Sequence, residues 1–270
     1  MLLGFKKYSG CGNDFIVIDD REGQISLQGV RQWVPQLCHR RQGIGADGVI
    51  LWQHGTVSPH RMRIFNADGS EAEMCGNGVR CLAHHISTEL GGLSSFEIDT
   101  LDGPVKIVCE KEGIRTAFPD PRDIQWGLHL THIASKYPID FLNTGVPHLV
   151  VQVDDIEEVD LASWAPPLRH HPDLEKGANV NIYQLDESSG VRYRTFERGV
   201  EAETLACGTG AAAVAVAAAN RHGLNAPIAV QTRSGEMLQC AFEWSEKGVS
   251  CLSITGPAVR IFEGTMELVS

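Results

Sequence analysis

The sequence predicts a mixed α/β fold of the α+β kind, rich in sheet and built from two similar halves. Three observations carry that expectation. Short runs of apolar and β-branched residues, separated by Asp, Gly or Pro, recur along the whole chain. The segment FPDPR at 118–122, with two prolines and two charges, has the chemistry of a linker and lies near the middle of the 270 residues. A C-G-x-G pattern opening an apolar helical stretch occurs once on each side of it, at 75–78 and at 207–210, as a duplicated supersecondary unit would show.

In chain order, strands are expected at 15–18, 49–52, 61–65, 96–98, 105–109, 148–153, 180–185, 191–196, 228–232 and 250–254. Several alternate apolar and polar residues, which is the pattern of antiparallel or mixed sheet with one solvated face. Val30, Trp33, Val34 and Leu37 recur at i, i+3, i+4 and i+7, and so do Val79, Leu82, Ala83 and Ile86, so two amphipathic helices are expected there. After Gly210 the run AAAVAVAAANRHG has no polar face before Asn220. Such a helix must be buried on all sides, and a sheet is expected to wrap it.

Composition excludes several classes of function. The formal net charge of -11 repels phosphate backbones and anionic lipid surfaces, so neither nucleic acid nor a membrane is an expected partner. The apolar stretch at 211–219 is far short of the ~18 residues of a membrane span. The opening residues show no apolar core followed by a small-residue cleavage site, and the expected compartment is the cytoplasm. There the eight cysteines should be thiols; none falls in a C-x-x-C pair or a clustered Cys/His spacing of the zinc type, and no metal is expected.

Chemistry concentrates at the repeated pattern. Cys75 and Cys207 each precede a helix, where the positive end of the macrodipole favours thiolate. The glycines that follow let backbone N–H groups approach a carboxylate without obstruction. Two thiol bases flanking one carbon are the machinery for inverting a stereocentre: one thiolate takes a proton while the opposing thiol delivers another to the other face. That scheme needs no cofactor. Taken alone, either C-G-x-G reads as a packing turn; the second copy is what raises both above it. Cys11, Cys38, Cys81, Cys109, Cys240 and Cys251 lie in apolar patterns or lack a partner and read as packing residues, with Cys11 in GCGND the ambiguous case.

The motifs GCGNDFIVID (10–19), GIGADG (43–48), IFNADGSEAEMCGNGVRC (64–81), TGVPHLV (144–150), GANVN (177–181), ERGVEAETLACGTGAA (197–212) and TGPA (255–258) span nearly the whole chain. In that order and spacing the chain resembles the diaminopimelate epimerase family, pyridoxal-independent enzymes. The resemblance implies two similar domains, 1–117 and 118–261, each a mostly antiparallel sheet around a central buried helix, with residues 262–270 returning to the first. It places the active site in the cleft between them.

The resemblance further implies that LL-diaminopimelate is epimerised to the meso form, in lysine and peptidoglycan precursor synthesis, without cofactor or metal and by a homodimer. Cys75 and Cys207 would transfer the protons. Gly76, Asn77, Gly208 and Thr209 would bind the reacting carboxylate through their backbone. Asn13, Asn66, Asn179, Glu197 and Arg198 would complete the substrate contacts, and His148 and Glu197 would tune the cysteine pair. Read alone, Asn13 or Asn66 serves a turn and His148 is a satisfied core histidine.

The chain departs from the family pattern in three places. Gly48 stands where many members have glutamine, Val146 where many have asparagine, and the segment from Arg198 to Cys207 is one residue longer than the commonest form. These leave room for a racemase of another amino acid, as in the related proline racemase class. A Cys-His hydrolase using Cys75 or Cys207 with His148, His84 or His85 is a further reading, though it leaves the second C-G-x-G unexplained. A non-enzymatic binding module ranks last. The G-x-G-x-x-G at 43–48 follows a helical pattern and precedes a strand, the reverse of a dinucleotide fingerprint, and reads as a turn.

Overall fold

The computed structural model describes residues 2–131, 136–186, 190–246 and 248–267. The chain divides into two compact units, 1–116 with 256–270, and 117–255.

The first unit opens with β1 (Leu2–Gly10), β2 (Asn13–Asp19), α1 (Leu27–Cys38), β3 (Gly48–His54), β4 (His60–Asn66) and β5 (Glu71–Ala72). It continues with α2 (Gly76–Glu89), β6 (Ser95–Thr100), β7 (Gly103–Glu110) and β8 (Gly113–Ala117). β1 pairs antiparallel with β2, β2 parallel with β3, and β3 antiparallel with β4. β4 takes β5 antiparallel and β6 parallel, and β6, β7 and β8 continue as an antiparallel meander. The runs FIVI and VILW are apolar throughout because both faces of this sheet are covered. Phe15, Val17, Ile50 and Trp52 pack with Val79, Leu82 and Ile86 of α2, whereas Ile16, Ile18, Val49 and Leu51 pack with Val30, Val34 and Leu37 of α1.

The second unit repeats this order: β9 (Arg122–Leu128), β10 (Ile139–Asn143), β11 (Pro147–Gln152), α3 (Leu161–Arg169), β12 (Asn179–Asp186), β13 (Gly190–Glu197) and β14 (Ala202–Thr204). Then come α4 (Gly208–His222), β15 (Ile228–Gln231), β16 (Met237–Ser245) and β17 (Gly248–Gly256). β9, β10 and β11 are antiparallel neighbours and β12 joins β11 in parallel. β13 lies antiparallel to β12 and β14 and parallel to β15, which leads antiparallel through β16 to β17. α4 packs against β10, β11, β12, β13, β15 and β16, so the alanine-rich helix is wrapped by sheet. Its residues from Gly210 to Ala219 are buried, and it stops at Gly223 in the left-handed conformation.

The last strand, β18 (Val259–Glu267), pairs antiparallel with β1. In the first unit it takes the place that β9 takes in the second. Of the stretch 262–270, residues 268–270 lie outside the described residues.

Strand pairing also aligns the two units residue by residue. Val49 faces Phe65 and Phe65 faces Glu71; Val180 faces Phe196 and Phe196 faces Glu203. In both units an arginine two residues before the phenylalanine grips that glutamate with two bonds, Arg63 to Glu71 and Arg194 to Glu203, each at 2.7 Å. These bidentate pairs fix the short hairpin that delivers the chain to each C-G-x-G.

Several elements escaped the sequence reading, two of them for identifiable reasons. α3 carries Pro166 and Pro167, which broke the helical pattern, yet Asp160 caps it by accepting from the Ser163 N–H. β1 is interrupted by Lys6 and Lys7; Lys7 is nonetheless buried, paired with Asp14 at 2.6 Å.

The last glycine of each C-G-x-G has a packing role that the sequence did not reveal. A Cβ at Gly78 would lie 2.9 Å from Ile64 Cδ1 and 3.2 Å from Ile50 Cδ1, and one at Gly210 would lie 2.5 Å from Asn181 Oδ1. These glycines let each helix approach the sheet. Gly78→Ala should therefore destabilise the protein by about 1–3 kcal/mol, and Ile64→Val, which removes the obstructing methyl, should return part of that loss. Thermal unfolding of the single and double variants checks this; an unchanged Gly78→Ala would show that the approach is not tight.

Burial also pushes His85, which meets Tyr8 OH at 3.2 Å, down to about 4, and lowers His60 and His84. Their unfolded forms protonate first as pH falls, so stability should decline from about pH 6.5 toward 4. Urea denaturation across that window measures it. A flat profile would refute the burial of these rings as neutral species.

Candidate active-site residues

Cys75 is the N-cap of α2, with φ -145° and ψ 116°, and is half-buried. Cys207 is the N-cap of α4, with φ -126° and ψ 114°. Both backbones are extended at the residue and helical immediately after, which leaves each sulfur at the positive end of its helix. All eight cysteines are thiols.

Around Cys75 the asparagines form a chain. Asn77 donates to Asn13 Oδ1 at 2.6 Å, and Asn13 donates to Asp47 Oδ2 at 3.1 Å. Arg80, fully buried on α2, donates to Asn77 Oδ1 and meets Cys11 Sγ at 3.5 Å. Asp47 also accepts from the Asp14 N–H at 3.1 Å, and Arg40 binds both Asp14 and Asp47. The turn bearing Asn13 is thus tied to the loop at 43–48, the G-x-G-x-x-G segment, which runs from α1 into β3. Asn66, at the end of β4, is exposed and donates from its side chain to Ser70 Oγ at 3.0 Å within a turn. At Gly48 a Cβ would sit 2.6 Å from the Phe65 carbonyl oxygen, so no larger side chain fits there without a backbone shift.

Around Cys207 a different set of partners gathers. Tyr193 OH accepts from the Cys207 N–H and donates to its carbonyl, both at 2.8 Å, so one hydroxyl holds the residue's two backbone groups. The sulfur is 3.4 Å from Thr209 Oγ1, and Thr209 Oγ1 is 3.0 Å from His148 Nε2. Thr144 donates to the Thr209 carbonyl at 2.8 Å. Asn179 donates to the Pro147 carbonyl at 3.0 Å and accepts from the Arg198 N–H at 2.8 Å, while the Arg198 guanidinium donates to the Lys176 carbonyl at 3.2 Å. Glu197 accepts from Thr204, and its carboxylate acts on the Cys207 thiol.

Electrostatics at Cys207 differs from the sequence expectation. Burial pushes the thiol up strongly and the Glu197 carboxylate adds to the shift, against the Thr209 hydroxyl and the Gly210 N–H. Desolvation outweighs the helix dipole and favours the protonated thiol. Burial likewise raises the Glu197 carboxyl. His148 is pushed down to about 3 by complete burial and by the charge of Arg198, so its ring is neutral at neutral pH. His84 and His85 serve the core, both edge-on to Tyr8. A Cys-His dyad therefore finds no support: a neutral, fully hydrogen-bonded His148 reaches Cys207 only through Thr209. Tyr193, Thr144, Asn181 and Arg80 were not singled out from sequence. Only Asn181 left a signal, as a polar residue inside the apolar strand VNIY.

The diaminopimelate epimerase family model matches residues 5–118 and 141–261. Diaminopimelate epimerase from Archaeoglobus fulgidus is 36% identical over 99% of this chain and 98% of its own, and that from Aquifex aeolicus 38% identical over 98% of each. Among solved structures, a phenazine biosynthesis protein of the PhzF family from Bacillus anthracis superposes with a TM-score of 0.75 at 16% identity, covering 99% of this chain and 100% of that one. A probable proline racemase from Agrobacterium radiobacter gives 0.65 at 13%, covering 99% and 93%. The two structures establish the fold, and the sequence matches, which run from end to end through both C-G-x-G helices, establish that the chain belongs to the diaminopimelate epimerase family.

Proposed function

We propose that Cys75 and Cys207 are the two proton-transfer groups through which this isomerase converts LL-diaminopimelate to the meso form. The observation that carries the assignment is the duplication itself. Each unit presents one cysteine at the N-cap of its buried helix, with the same hairpin and the same Arg-Glu pair leading into it. A fold duplicated for stability alone does not require sulfur at both helix N-termini.

The chemistry follows from the state of each group. Burial and Glu197 favour the protonated form of Cys207, which gives it the donor's part. Cys75 is then the base that removes the Cα proton as Cys207 delivers its own to the opposite face, and the roles exchange for the reverse reaction. The intermediate carries its charge into the substrate carboxylate. Backbone N–H groups of Gly76, Asn77, Gly208 and Thr209, at helix N-termini, stabilise that charge as it grows. Asn13, Asn66, Asn179, Glu197 and Arg198 bind the remainder of the substrate, Arg198 through its planar fork, and His148 and Glu197 tune Cys207. The enzyme acts in the cytoplasm as a homodimer, with an amino acid as its small-molecule substrate and without nucleic acid, membrane, metal or cofactor. No described helix is long and apolar enough to cross a membrane.

A broader amino-acid racemase is the second reading, favoured by Gly48, which has no room for a longer side chain, and by Val146. Rates with diaminopimelate, proline and a panel of other amino acids separate the two. Diaminopimelate should be turned over fastest by a wide margin.

Incubation with LL-diaminopimelate in deuterated water, following stereochemistry and isotope together, tests the mechanism. Cys75→Ala and Cys207→Ala should each fold and lose inversion by about 10²–10⁴-fold. Full activity in either variant would refute the two-base assignment.

A further inference from the structure

In the first unit, Gly78 of the C-G-x-G helix faces Ile50 and Ile64, and this corner of the core is apolar. At the matching position of the second unit, Gly210 faces Asn181. The strand registers that pair Ile50 with Ile64 and Asn181 with Thr195 make Ile50 and Asn181 equivalent. The fold is satisfied by isoleucine at this place, so the amide in the second unit has a reason other than the fold.

Its contacts identify that reason. Asn181 is fully buried, and its Nδ2 donates to the Leu149 carbonyl at 2.9 Å while facing His148 Nδ1 at 3.1 Å. A flipped amide would set oxygen against the Leu149 carbonyl, so the orientation is fixed. Because Nδ2 can only donate, His148 Nδ1 must accept, and the ring proton sits on Nε2. That proton points at Thr209 Oγ1, 3.0 Å away, and occupies one of its lone pairs. The hydroxyl hydrogen of Thr209 is left for the neighbour at 3.4 Å, Cys207 Sγ. Meanwhile Asn181 Oδ1, packed against Gly210, has no hydrogen-bond partner among the described residues. An unsatisfied acceptor is retained for the sake of the donor.

We infer that Asn181 and His148 act as positioning residues that hold the Thr209 hydroxyl as a hydrogen-bond donor to the Cys207 sulfur. This rests on the proposed role of Cys207 and deepens it. The Glu197 carboxylate acts on the Cys207 thiol, and when Cys207 gives its proton to the substrate carbon the thiolate left behind accepts the Thr209 O–H. Thr209 keeps its proton throughout. His148 is an orienting group with no proton to exchange, since one ring nitrogen accepts from Asn181 and the other donates to Thr209. The titratable and charged groups facing Cys207 from the surrounding elements are Glu197 and Tyr193 on β13, His148 on β11 and, through His148, Arg198 after β13.

The test is the pH dependence of Cys207 alkylation by iodoacetamide in the whole chain, resolved by peptide mass spectrometry, because it reports thiolate at this residue without requiring turnover. Loss of one hydrogen bond to a charged sulfur in Thr209→Val should move the profile alkaline by roughly one unit or more. Thr209→Ser should restore it, and Asn181→Leu should move it in the same direction. A folded Thr209→Val with an unmoved profile would overturn the inference. The native protein labelled with ¹⁵N-histidine supplies a check that needs no variant. His148 should remain the neutral Nε2–H tautomer from pH 5 to 8, and an imidazolium or an Nδ1–H form in that range would overturn the inference as well. Failure of the two-base reading shows separately, as activity retained in Cys207→Ala.

Discussion

A helix N-terminus can act on a reacting carbon only if the helix itself is held, and here the closeness of each buried helix to its own sheet does the holding. α2 from Asn77 to Ala83 and α4 from Gly210 to Ala219 are buried, which keeps them from tilting or sliding. Gly78 and Gly210 bring their first turns against the strands at distances that leave no room for a Cβ. The cysteine one turn earlier inherits that rigidity. Close packing of this sort transmits position with little compliance, which suits the proposed reaction, whose two proton transfers tolerate little misplacement.

Duplication supplies a control within one molecule. Both units share strand order, the hairpin before the cysteine and the bidentate Arg-Glu pair, and these belong to the fold. Where the units differ, the difference marks work specific to one of them. Unit one spends polar groups on the Asp47, Asn13, Asn77 and Arg80 chain. Unit two surrounds its cysteine with Tyr193, Thr209, His148, Asn181 and Glu197. The two thiols therefore sit in chemically different settings although their backbones are alike.

Two opposing effects meet at Cys207. The macrodipole at a helix end stabilises negative charge by at most a couple of kcal/mol, whereas withdrawing a thiolate from water costs more, and the neighbouring carboxylate adds to that cost. The balance favours the thiol form. That suits the donor role proposed for Cys207, and it makes every fixed hydrogen bond to the sulfur count when the proton leaves, because such bonds are strongest where water is excluded.

Much of this was legible in the chain of residues alone. The sheet-rich two-part architecture followed from strand-length apolar runs, the buried helix from AAAVAVAAANRHG, and Cys75 and Cys207 from a pattern that occurs twice. These are local or repeated signals, carried by residue type and spacing. The proline-bearing α3, the strand interrupted by Lys6 and Lys7, and the second role of Gly78 and Gly210 were not legible, because each depends on what lies opposite across the core. The same holds for Asn181 and Tyr193: an asparagine or tyrosine within a strand has no meaning until the neighbouring strand and helix set its partners. Sequence by itself determined which elements form and which atoms can do chemistry. Tertiary structure decided how those atoms are charged and aimed, since desolvation and hydrogen-bond direction depend on groups far apart in the chain.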